Sequence, residues 1–217
     1  MTDMFSIRDK NALLIKDGTE TRFAGNQEWY STERKRLSGC GPTTCSAMMW
    51  YLAQTHAGCA PLSPFDGSDR QGFTRLMEDV WHYTTPGRMG LNSTERFATG
   101  AERYGAECGV PLKAHVLDVP EYLCQRPSYE QVQNLLEWAF VRDLPVAFLN
   151  FSNGALHNLD NWHWVLLVAL KGGSAQMYDQ GEDHMIRLEK WLRTTTLGGG
   201  FVVLQPAAEE RQAPATA

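Results

Sequence analysis

The stretch SGCGPTTCS, residues 38–46, sets a cysteine between two glycines with a proline close behind. A thiol attacks a carbonyl only as its thiolate. A helix N-terminus or a neighbouring imidazolium brings its pKa down from about 8.5. Residues 42–55, PTTCSAMMWYLAQT, lack internal Gly and Pro and carry apolar side chains at helical spacing. Pro42 suits a first turn, where its missing N–H costs nothing, and Gly58 is the expected stop. Cys40 therefore falls at or just before a helix N-terminus, at the positive end of the dipole. Gly39 and Gly41 leave room for a substrate backbone. The competing account is an incidental buried thiol at a helix start, since buried cysteines are common.

The other cysteines offer less. Cys45 lies one turn further into the helix and is expected to pack with Met48 and Met49, while Cys59, Cys108 and Cys124 show no pair spacing. No CxxC or HxxxH pair occurs, and His157 and His163 are separated by turn residues, so neither a metal nor a cofactor is expected. Five cysteines, an odd number, argue against a disulfide framework and for a reducing compartment.

A nucleophilic thiol needs a base. Of the six histidines, His163 opens the intensely apolar run HWVLLVAL, which would hold it rigidly and partly desolvated. His56 and His82 lie near expected helix ends. His115 lies within a strand and His157 in the loop NGALHN. A base in turn needs a partner for its second ring nitrogen. Counting across a hairpin about Gly172-Gly173 brings Asp179 to within a residue or two of the level of His163. A turn residue in Asp-Gln-Gly is the plainer account of Asp179; Asn158 and Asn161 are weaker partners, and Asp183 is a fallback. For an oxyanion hole, the backbone N–H of Cys40 and the side-chain amide of Gln27, in GNQEWY, are the candidates.

These groups need elements to position them. Residues 12–23 are two short apolar runs about Asp17-Gly18, a hairpin signal. Residues 70–83 and 93–104 are expected to be helices, the second capped by Ser93 and stopped by Gly105. Residues 112–119 alternate as a strand, and Ser128 caps an amphipathic helix over 129–143. Short β-rich runs follow at 145–151, 162–170, 174–180, 184–188 and 201–204, interrupted by a helix over 189–195. Helices in the first two thirds and an antiparallel sheet in the last third predict an α+β fold. One domain over 1–205 is expected, with 206–217 as a disordered tail.

The 217 residues are 43% apolar and carry a net charge of −5. That composition supports a real core and lacks the basic footprint of a nucleic-acid binder. The one basic cluster, Arg34-Lys35-Arg36, reads as a solvated loop. No run of eighteen apolar residues exists and the N-terminus lacks the apolar stretch of a signal peptide, so a cytoplasmic protein is expected, with signal-free secretion as the alternative that leaves no trace in the sequence.

Taken together, the Gln, GCGPT opening a helix, the distant HWVLLVAL, a Gly-Gly turn, YDQG and a closing aliphatic strand resemble the papain-like cysteine peptidase superfamily, and within it the double-glycine bacteriocin-processing peptidases. The resemblance touches residues 27–55 and 145–204. It implies a papain-like fold in which a helical part, with the nucleophile at a helix N-terminus, packs on a C-terminal antiparallel sheet. It implies Cys40 as nucleophile, His163 as base, Asp179 as orienter and Gln27 as oxyanion donor, acting on a peptide or protein substrate. Three features depart from the pattern. Gln27 and Cys40 are unusually far apart, the turn after Asp179 reads DQG where Asp-Pro is expected, and 60–128 stands as a helical insertion or cap. Hydrolysis of a peptide or isopeptide bond through a thioester is the first reading. Acyl transfer, amidase or deamidase chemistry on the same groups is the second, and a catalytically silent binding module the third.

Overall fold

The structure is a computed structural model and describes residues 4–207. It is α+β. Strands β1 (Met4–Ser6), β2 (Leu14–Asp17) and β3 (Glu20–Phe23) lead into α1 (Glu33–Ser38) and α2 (Cys40–Thr55). Then come α3 (Arg70–Trp81), α4 (Thr94–Glu107), β4 (Leu112–Val119) and α5 (Tyr129–Val141). The chain ends with β5 (Val146–Asn150), β6 (His163–Lys171), β7 (Ser174–Asp179), β8 (Glu182–Ile186), α6 (Leu188–Thr194) and β9 (Gly199–Pro206).

One seven-stranded antiparallel sheet runs β4-β9-β5-β6-β7-β8, with β1 paired to the far end of β6. The sheet is therefore not confined to the last third of the chain. It takes its first strand from the N-terminus and an edge strand, β4, from the segment expected to be a helical insertion. That segment, 60–128, holds α3 and α4 as well, but β4 pairs with β9 along its whole length, and its apolar side chains belong to the common core.

Helix α2 lies across the sheet and is buried on nearly every side, from Gly41 to Leu52. Such a helix has no polar stripe to show to water, in keeping with a run such as AMMWYL. It begins two residues earlier than Pro42, and a single residue, Gly39, separates it from α1. A side chain at 39 would collide with the Tyr30 ring and the Lys35 carbonyl, so glycine is what lets the two helices abut. This corrects the reading of Arg34-Lys35-Arg36 as loop. Thr32 caps α1, Lys35 pairs with Glu78 and lies over the Trp81 ring, and those contacts hold the cluster in a helix.

Helix α4 runs past its expected stop to Glu107 because Gly105 is used for close packing. A Cβ there would meet Val110 O at 2.6 Å. The left-handed turn falls instead at Gly109, with φ +73°. Ser128 caps α5 as expected, in a capping box with Gln131. Strand β9 reaches Pro206, and Ala207 N donates to Pro111 O, so the described chain extends past the boundary expected at 205. The rest of the expected tail, 208–217, lies outside the described residues.

Candidate active site

Cys40 is the first residue of α2. His163 is the first residue of β6 and Asp179 the last of β7. The hairpin between these strands turns at Gly172-Gly173, with Lys171 opposite Ser174. A perfect ladder from that turn would put His163 and Asp179 on opposite faces of the sheet, because side chains alternate. A β-bulge lies between Leu167 and Ala169, so that Leu166 faces Tyr178. The one-residue shift moves Asp179 onto the face of His163, two positions away on the diagonal. His163 Nε2 then lies 2.6 Å from Asp179 Oδ1.

That bond leaves Nδ1 of His163 for the thiol, and Cys40 and His163 line the same narrow slot. The ring is only 6% exposed. Burial by itself lowers the imidazole pKa, but the hydrogen bond to Asp179, the sulfur of Cys40 beside the ring and the Asp179 carboxylate more than offset it. The pKa is raised to about 10. At neutral pH the ring is an imidazolium held between a carboxylate and a thiol, the kind of neighbour that stabilises a thiolate.

Gln27 is brought to the same place. It lies in a one-turn 3-10 helix, Gln27–Trp29, capped by Asn26. Asn26 Nδ2 also donates to Gln180 O at 2.7 Å, which ties this turn to the end of β7. One N–H of the Gln27 amide goes to Arg36 O at 2.7 Å, and the amide has a second. Gln27, Cys40 and His163 line a slot of about 20 Å³, room for about one water molecule or an oxygen atom of a ligand.

The remaining sequence candidates are engaged elsewhere. Asn158 donates to Met185 O, Asn161 accepts from Asn153 N, and Asp183 accepts from Gln176. Cys45 is buried and its thiol is pushed well above the ordinary range by desolvation. His115 bonds Gln205 and packs on Trp138. Among the described residues, three ligand-type side chains converge in one place: Asp160, His163 and Asp179, with ligand atoms within 4.8 Å of one another. This is the His–Asp pair with one exposed carboxylate added.

Sequence reasoning missed the cleft above these groups. It has a volume of about 830 Å³ and opens directly over Cys40. Helix α1 forms one wall, the loop 87–92 another, and Phe151 with Trp162 a third. The loop is anchored by Leu91, whose carbonyl accepts from Trp164 Nε1 at 2.6 Å and whose side chain lies against Gly41. Gly87 and Gly90 pair across its turn. Trp162, directly before His163, has φ +55°, and Gln180, directly after Asp179, has φ +49°. Non-glycine residues in that region store strain and cluster at functional sites. No sequence pattern marked either one.

No family model matches the chain, and no curated protein matches it. Solved structures similar to it include the following three. One is a double glycine motif protease from an AMS/PCAT transporter, in complex with the leader peptide. It is 16% identical, covers 77% of this chain and 84% of its own, and has a TM-score of 0.41. Another is a Bacillus anthracis protein described as a C39-like peptidase, at 13% identity, 83% and 94% coverage, and a TM-score of 0.46. The third is the Pseudomonas avirulence protein AvrPphB, at 12% identity, 78% and 92% coverage, and a TM-score of 0.35. These are loose likenesses of fold. Among the described residues no helix is long and apolar enough to cross a membrane.

Proposed function

We propose that the chain is a papain-like cysteine peptidase that hydrolyses a peptide or isopeptide bond through a thioester. One observation carries this reading. A cysteine at the start of a buried helix shares a narrow slot with a buried imidazole whose Nε2 is held by a carboxylate, all beneath an open cleft.

The chemistry follows from the arrangement. The Cys40 thiolate attacks the substrate carbonyl, and the developing oxyanion is held by the Cys40 N–H and the free N–H of Gln27. His163, protonated at rest, gives its proton to the leaving nitrogen as the C–N bond breaks, leaving an acyl thioester. The neutral imidazole then takes a proton from water, whose oxygen attacks the thioester. Collapse releases the carboxylic acid and restores the thiolate and the imidazolium. Asp179 keeps the ring oriented throughout and stabilises its charge.

The test is selective alkylation followed by turnover. Iodoacetamide at neutral pH is expected to label Cys40 ahead of the other four cysteines, and a Cys40→Ala variant to cleave nothing in a peptide library that the parent protein cleaves. Uniform labelling of all five thiols would instead favour a binding module. A trapped thioester released by an added amine but not by water would make the protein an acyltransferase.

A further inference from the structure

Ten large apolar side chains are exposed among the described residues, and three of them stand around the cleft over Cys40: Leu37 at 78%, Met89 at 62% and Trp162 at 46%. They come from three separate parts of the chain. Leu37 lies on α1, Met89 at the tip of the 87–90 turn, and Trp162 beside His163. Their convergence on one cavity sets them apart from the scattered apolar residues found on any protein surface. Trp162 is also kept there at the cost of a left-handed backbone, with its ring 4.8 Å from that of Phe151.

The charges on the same walls are unequal. Arg34 and Arg88 both line the cleft, against the single carboxylate of Glu33. Neither guanidinium has an ion-pair partner among the described residues. In a protein of net charge −5, two unpaired arginines beside a thiol favour an incoming carboxylate. A pair of glycines at the scissile bond would leave the apolar walls unfilled and the arginines unanswered.

Resting on the peptidase reading, we propose that the substrate is a peptide segment with a bulky apolar residue supplying the scissile carbonyl and an acidic residue next to it. The apolar side chain lies among Leu37, Met89 and Trp162, and the carboxylate meets Arg34 and Arg88.

Peptidyl chloromethyl ketones test this, since the thiolate displaces chloride and leaves a stable C–S bond whose rate reports recognition without turnover. Acetyl-Asp-Leu, acetyl-Lys-Leu and acetyl-Gly-Gly chloromethyl ketones would be compared on the full chain by intact mass and peptide mapping, with iodoacetamide as the reagent that needs no recognition. The Asp-Leu compound is expected to label Cys40 at least about 10-fold faster than the Gly-Gly compound, the scale of a filled apolar pocket. It should also outpace the Lys-Leu compound. Arg88→Glu, at an exposed turn, should reverse the Asp-over-Lys order, and Met89→Ala should shrink the Leu-over-Gly ratio. Equal rates for the three compounds, with iodoacetamide still selecting Cys40, would overturn the inference and leave the peptidase reading standing. Loss of iodoacetamide selectivity would bring both down.

Discussion

At the scale of single residues the site is governed by His163. Its ring is pinned by Asp179 and Cys40, and its pKa is raised to about 10. The consequence for stability has a definite sign. A histidine whose folded pKa is raised above its unfolded value near 6.5 stabilises the folded state fully below pH 6.5. That contribution fades as pH climbs toward 10. Urea unfolding of the parent protein is therefore expected to weaken between pH 7 and pH 10 by more than that of His163→Gln. The same ring sets the upper limit of reactivity. Acylation needs the imidazolium proton and Asp179→Asn removes the partner that raises its pKa, so the alkaline limb of the peptide-cleavage profile should move to lower pH, and the cleavage rate at pH 9 should fall. An unchanged limb would show that Asp179 does not act through the imidazole. The sequence suggested Cys40 and His163 through their local contexts, while Asp179 came from counting across a hairpin and Gln27 carried little signal of its own; the structure brings the four side chains to one slot. Trp162 and Gln180 were not legible. A left-handed φ at a non-glycine residue is imposed by the surrounding tertiary structure and leaves no mark in residue type.

Elements convert that chemistry into geometry, and here a single extra residue matters. Val168 is the position taken up by the bulge between Leu167 and Ala169. Deleting it would restore an even ladder to the Gly172-Gly173 turn and return Asp179 to the face away from His163. The deletion variant, if circular dichroism shows it folded, should lose preferential alkylation of Cys40. Retained preference would mean the register is set from the β5 side. A bulge of this sort is invisible in a run such as HWVLLVALK, where every residue is apolar up to the lysine and no alternation marks the faces. By contrast, the capping box of α5 was readable, because Ser128 and Gln131 are the residue types that make it. Ser128→Ala should destabilise the protein by about 1 kcal/mol in chemical unfolding, with no effect on the alkylation rate, since α5 lies away from the cleft residues.

For the molecule as a whole, the segment 60–128 is the part the sequence described least well. It matches nothing in the resemblance, and its helical periodicity is stronger than the short alternation at 112–119. Strand pairing between residues as distant as Leu112 and Pro206 is a long-range property, and local periodicity does not report partners. Excising 60–128 would strip β9 of its outer neighbour, expose an apolar edge and remove the 87–92 wall of the cleft. The shortened chain is expected to aggregate or unfold without a cooperative transition in calorimetry. A well-folded product would mean that the segment is an appendage after all.

The reactive sulfur is mounted on the central strut of the molecule: α2 carries Cys40 at its tip and is wrapped by the core along most of its length. Chemistry and architecture then share one part, with no hinge between them. On slow heating, the loss of fast alkylation and the melting of the interior should coincide within a degree or two, so a reagent aimed at one atom becomes a thermometer for the entire fold.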